Sequence, residues 1–187
     1  LLAVALDCPD DERPAIELAD GTTIATSVID AAIARHPTLI VPITLPQFGA
    51  TGSAATDVMN SPGGASDLSG GIGDDVLNGS VSSDRLDGGD GTDTLTGAAG
   101  ADTLAGGAGD DLLDAGDDDD VLEGGDGADR LLGGAGDDAL SGGAGDDTLD
   151  GGAGADRLSG GDGRDTLAGG AGRDTLAGEA GDDALDA

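Results

Sequence analysis

From Gly70 to Asp186 the chain repeats every nine residues, thirteen times, without an insertion or a deletion. A short fixed period gives every unit the same environment as its neighbours, which describes a solenoid and not an ordinary globule. The unit is cleanest in GGAGDDTLD (142–150), GGAGADRLS (151–159) and GGAGRDTLA (169–177). Counted from the first Gly, position six is Asp and position eight is Leu in all thirteen units. Gly fills position one in twelve units, position four in eleven and position two in ten. Positions six and eight lie two apart, so on an extended chain they face one side while seven and nine face the other. Leu at position eight is therefore expected in a core, with Asp at position six pointing inward at the mouth of the preceding turn. Positions seven and nine hold Arg85, Thr94, Arg130, Asp150 and Arg157, side chains that water tolerates. The Gly-rich first half suits a tight turn that needs positive φ and close backbone approach. Each unit reads as half turn and half short strand.

These residues resemble the GGxGxDxUx nonapeptide of the RTX (repeats-in-toxin) calcium-binding proteins, over residues 70–186. The resemblance implies an all-β fold, a right-handed parallel β-roll in which two nonapeptides make one turn. Loops on one side then stack every second unit, with Ca²⁺ between stacked loops. The implied carboxylate ligands are Asp75, Asp84, Asp93, Asp102, Asp111, Asp120, Asp129, Asp138, Asp147, Asp156, Asp165, Asp174 and Asp183. In the family one loop adds its position-two and position-four carbonyls, and the next-but-one loop adds those of positions one and three. Carried over, Gly71 and Gly73 share an ion with Gly88 and Asp90, Gly134 and Gly136 with Gly151 and Ala153, and Gly143 and Gly145 with Gly160 and Asp162. The same backbone roles fall to Gly107, Gly109, Gly125, Gly127, Gly142, Ala144, Gly152, Gly154, Gly161, Gly163, Gly169 and Ala171. Six oxygens of mixed carboxylate and carbonyl origin suit Ca²⁺, whereas Mg²⁺ demands a stricter octahedron and gives up water reluctantly. Thirteen units hold at most eleven such ions. Weaker sites are expected at GSVSSDRLD (79–87), where Ser82 replaces Gly at position four, and at AGDDDDVLE (115–123), where Asp118 does. The last unit carries Glu179 at position two.

One Leu per nine residues is a thin core, and stacking brings like charges together. Two carboxylates one strand spacing apart, ~4.8 Å, repel by about 3–4 kcal/mol at an effective dielectric near 20. Residues 70–187 carry 30 acids against five arginines. The metal-free block is expected to be a disordered Gly/Asp-rich tract, with calcium binding free energy serving as folding free energy. Extracellular calcium modules work at dissociation constants of ~10⁻⁴–10⁻³ M, so such a chain folds outside the cell and not within it. The resemblance implies export by type I secretion and an extracellular destination.

Residues 1–69 differ in kind, with nine acids and five glycines. Residues 1–48 read as a short mixed α/β segment and residues 49–69 as a Gly/Ser-rich linker, with a decayed repeat around Asp67 and Leu68. Thr26 or Ser27 is placed to cap a helix over Val28 to Arg35, which Pro37 stops. Thr38 to Leu45 reads as an edge strand because it contains Pro42. The segment is expected to be the tail of an upstream domain or a cap on the first coil, and the start at Leu1 without Met favours a fragment. His36 reads as a surface helix end, and Cys8 is the only cysteine. The apolar LLAVAL start is too short to span a membrane and lacks the basic residues of a signal peptide.

Neither HExxH nor GxSxG occurs, so catalysis within these residues is not expected. The alternatives are the roll of a secreted protease, lipase or epimerase whose catalytic domain lies elsewhere, or an adhesin. An ice-binding face would need a ladder of like residues, but position seven runs Thr94, Thr103, Leu112, Val121, Arg130. A net charge of −32 and the absence of lysine exclude nucleic acid as a partner. The last Leu row lacks an evident cap, which favours end-to-end self-association.

Overall fold

The computed structural model describes residues 3–5, 15–17 and 48–187. Strands β1 (Ala3–Ala5) and β2 (Ala15–Glu17) form an antiparallel pair with Val4 opposite Ile16. The expected helix over Val28 to Arg35 and strand over Thr38 to Leu45 lie outside the described residues, as do Cys8 and His36.

From residue 48 onward the chain is a parallel β-roll, and its strands alternate between two sheets of eight. One sheet stacks β4 (Val58–Asn60), β6 (Val76–Asn78), β8 (Thr94–Ala99), β10 (Leu112–Asp117), β12 (Arg130–Ala135), β14 (Thr148–Gly154), β16 (Thr166–Gly172) and β18 (Ala184–Asp186). The other stacks β3 (Phe48–Thr51), β5 (Ser66–Ile72), β7 (Arg85–Asp90), β9 (Thr103–Ala108), β11 (Val121–Asp126), β13 (Ala139–Ala144), β15 (Arg157–Asp162) and β17 (Thr175–Ala180). Each strand pairs with its next-but-one neighbour, so Leu113 lies opposite Leu131 and Leu122 opposite Leu140. An offset of eighteen residues is two nonapeptides per turn. It stacks identical positions, and so keeps every Leu inward.

The core is correspondingly narrow. Position-eight leucines from Leu68 to Leu167 are each at most 3% exposed. Burial then fails at the C-terminal end, where Leu176 is only partly buried and Leu185 is 49% exposed.

The structure corrects the expected linker. Residues 49–69 contain β4 and most of β3 and β5, paired in register with the repeats: Val58 with Val76, Met59 with Leu77, Leu68 with Leu86. Parallel stacking asks only for an apolar inward residue once per turn. Ala50, Met59 and Leu68 meet that need and pack on the core although most of the consensus glycines are gone. The decayed repeat also sits one residue earlier than Asp67 suggested. Ser66 is the buried position-six residue, while Asp67 points out toward Arg85 at 3.9 Å.

Candidate metal centre

The position-six aspartates line the turns between the two sheets. From Asp75 to Asp165 all eleven are at most 4% exposed. A carboxylate placed there needs partners for both oxygens. One oxygen has a partner everywhere: the backbone N–H of the position-six residue eighteen earlier donates to Oδ1. Asp111 donates to Asp129 and Asp120 to Asp138, each at 2.8 Å. The ladder reaches the partly exposed Asp174 and Asp183, which accept from Asp156 at 3.1 Å and Asp165 at 3.0 Å. The other oxygen is different. In Asp75, Asp93, Asp102, Asp111, Asp120, Asp129, Asp138, Asp147, Asp156 and Asp165, Oδ2 is buried with no hydrogen-bond partner.

Those ten oxygens face a space that is kept clear. A Cβ on Gly124 would fall 2.6 Å from the Gly142 carbonyl oxygen and closer still to Asp129 Oδ2. A Cβ on Gly133 would lie 2.5 Å from Asp138 Oδ2 and 2.6 Å from the Gly151 carbonyl oxygen. The same holds for Gly142 against Asp147 and Gly160, and for Gly151 against Asp156 and Gly169. Thus a carboxylate oxygen of one loop and the position-one carbonyl of the next-but-one loop converge on one point. At position one, glycine is needed for space and not for φ, which the sequence alone does not distinguish.

Positive φ belongs to positions two and four, as at Gly107 (115°) and Gly109 (124°), and at Gly71, Gly73, Gly125, Gly127, Gly134, Gly136, Gly143, Gly145, Gly152, Gly154, Gly161 and Gly163. Among the described residues, three non-glycine residues have positive φ, Ala98 (89°), Asp118 (81°) and Glu179 (71°), each standing in for one of these glycines. Asp118 therefore keeps the left-handed backbone of its loop, and Asp120 Oδ2 remains unpartnered there. What does distinguish that loop is Ala115, fully buried, which puts a methyl group at position one. Position-three carbonyls accept an N–H from the loop before: Asp90 from Gly73, Ala144 from Gly127, Ala153 from Gly136 and Asp162 from Gly145, at 2.7–2.9 Å. Each keeps a second lone pair.

Burial pushes these carboxyls up. Asp111 and Asp120 rise to about 7, and Asp75, Asp102 and Asp129 to about 6, because removal from water disfavours the charge. Neighbouring carboxylates add to the rise, and the N–H donated to Oδ1 offsets part of it. Asp93, Asp138, Asp147 and Asp156 are raised for the same first reason. Among the described residues no three Asp, Glu, His or Cys side chains gather at one point. Each gap beside an orphaned Oδ2 instead joins two carboxylates to backbone carbonyls, an all-oxygen donor set.

The sequence model of the RTX calcium-binding nonapeptide repeat (4 copies) matches residues 63–95, 96–131, 123–158 and 159–187. The chain belongs to the RTX repeat family. No curated protein matches it. Repeats of this family bind calcium, and the residues here fit that ion. Hard oxygen donors in this number suit Ca²⁺, and a divalent cation answers both the orphaned Oδ2 atoms and the like-charge repulsion. The RTX match begins at residue 63, while the stacked roll begins at residue 48. Asp57, buried at position six, was therefore missed by sequence reasoning. Its signal was the eighteen-residue step to Asp75.

Proposed function

We propose that this chain is a calcium-induced folding module of a secreted RTX-type protein. The observation that carries the reading is the set of ten buried carboxylate oxygens with no partner. Each faces a cleft that glycine or Ala115 borders and that a second loop closes with carbonyls. Left unanswered, those charges oppose stacking. Bound calcium answers them, so ion affinity adds directly to stability. Affinity near the ~10⁻⁴–10⁻³ M typical of extracellular modules leaves the chain unfolded in the cytosol and folds it outside. That sequence of states suits passage through a type I secretion channel. The chain's own role is then binding and scaffolding, with no catalysis. Isothermal titration of the chelated chain tests this. Multiple calcium ions with a large heat of coupled folding, and no comparable heat from magnesium, are expected; equal responses to both ions would refute the reading.

A further inference from the structure

Two position-six aspartates are buried like the rest yet lack an orphaned oxygen. At Asp57, Oδ2 accepts from the backbone N–H of Ser53 at 2.6 Å and from its hydroxyl at 3.0 Å. At Asp84, Oδ2 accepts from the Ser80 N–H at 2.7 Å and from its hydroxyl at 3.1 Å. Both serines occupy position two, where most units have glycine at positive φ, and neither adopts positive φ. That local change turns an amide and a hydroxyl toward the cleft. A third gap shows the same chemistry. The Gly64 carbonyl stands at position four of its loop, where the family pattern puts a calcium ligand, and it takes the Ser61 and Ser66 hydroxyls at 3.1 Å each. Position six of that loop is Ser66 itself, so the gap also lacks one carboxylate.

We infer that the serine-bearing loops 52–57, 61–66 and 79–84 are metal-free closures of the two loop columns, with serine donors in the place of the cation. The gaps between 52–57 and 70–75, between 61–66 and 79–84, and between 79–84 and 97–102 take no calcium. Ten gaps remain. Six follow Asp75 in its column, and four follow Asp102 in the other. The inference rests on calcium binding by the repeats and assigns which of them bind. Neutral O–H and N–H donors suffice here because each closure meets one carboxylate at the end of a column, not a carboxylate flanked by others on both sides.

A crystal structure of the full chain grown with calcium tests the assignment. Ions in gaps beyond the closures, with none touching Asp57 Oδ2 or Asp84 Oδ2, are the expected result. An ion on either oxygen overturns the inference. A crystal with no ion in any gap overturns the calcium reading itself and the assignment with it. A second measurement uses Ser80→Gly combined with Ser82→Gly, which restores the glycine pattern. Equilibrium dialysis should then count one more calcium per chain than for the unaltered protein, and an unchanged count overturns the role of Ser80.

Discussion

The serine-bearing turns 52–57, 61–66 and 79–84 and the glycine-lined turns of the other units share one backbone but answer the inward carboxylate differently. In both, strands stack in the eighteen-residue register and a side chain at position eight enters the core. In the first, Ser53 and Ser80 complete the hydrogen bonding of Asp57 and Asp84. In the second, ten carboxylate oxygens are left for something the polypeptide does not supply. The roll's geometry is therefore a property of period and register, while its dependence on metal is a property of the donors each loop supplies, at position two in loops 52–57 and 79–84. A loop becomes metal-independent by exchanging a left-handed glycine for a serine whose N–H and O–H turn inward.

The largest effect expected from a single substitution comes from the core that both regions share. Leu131→Ala empties a fully buried site in the middle of the leucine ladder. It should cost about 2–5 kcal/mol of stability in saturating calcium. Met59→Ala, at the partly buried end of the same ladder, should cost clearly less. Thermal unfolding of both variants checks this, and equal losses would mean that stability is not graded along the roll.

Next comes the cleft itself. Gly124→Ala sets a methyl group between Asp129 Oδ2 and the Gly142 carbonyl. It should weaken the calcium site of that gap and, through crowding, cost about 1–3 kcal/mol. Unchanged calcium affinity in a titration would show that position one does not border the ion.

The smallest effect is a pH dependence that separates the chelated from the loaded protein. Asp111 and Asp120 are raised to about 7 by burial, against 3.8 when solvated. The folded metal-free roll thus binds more protons than the unfolded chain across that interval. Its stability is fullest below about pH 4 and is lost as the pH rises toward 7. Calcium competes with those protons, so the calcium-loaded roll should change in the opposite direction. Circular dichroism of the chelated chain should show more β structure near pH 4.5 than near pH 8. Identical spectra would remove the account of these carboxylates as buried and unanswered.

The fold was legible because nine residues recur in phase, and position eight alone is enough to set the register. The carboxylate row was legible for the same reason. The N-terminal turns were not, since Ser61, Pro62 and Ser66 displace consensus residues and make 49–69 look like a linker. Asp57, Met59 and Leu68 keep the eighteen-residue step to Asp75, Leu77 and Leu86, and that step was the available signal. The division of glycine's work was hidden too, because one residue type serves space at position one and left-handed backbone at two and four. The donors at Ser53 and Ser80 depend on a local departure from positive φ that no composition reveals.

The measurement that tests the central claim most directly is far-UV circular dichroism during a calcium titration of the full chain. It runs from excess chelator to about 10 mM, well past the affinity expected of extracellular modules, with magnesium as the control. A cooperative transition from coil to β structure, driven by calcium and not by magnesium, is the predicted result. A chain that is already β-rich in chelator, or one that stays coil at every calcium concentration, would contradict it.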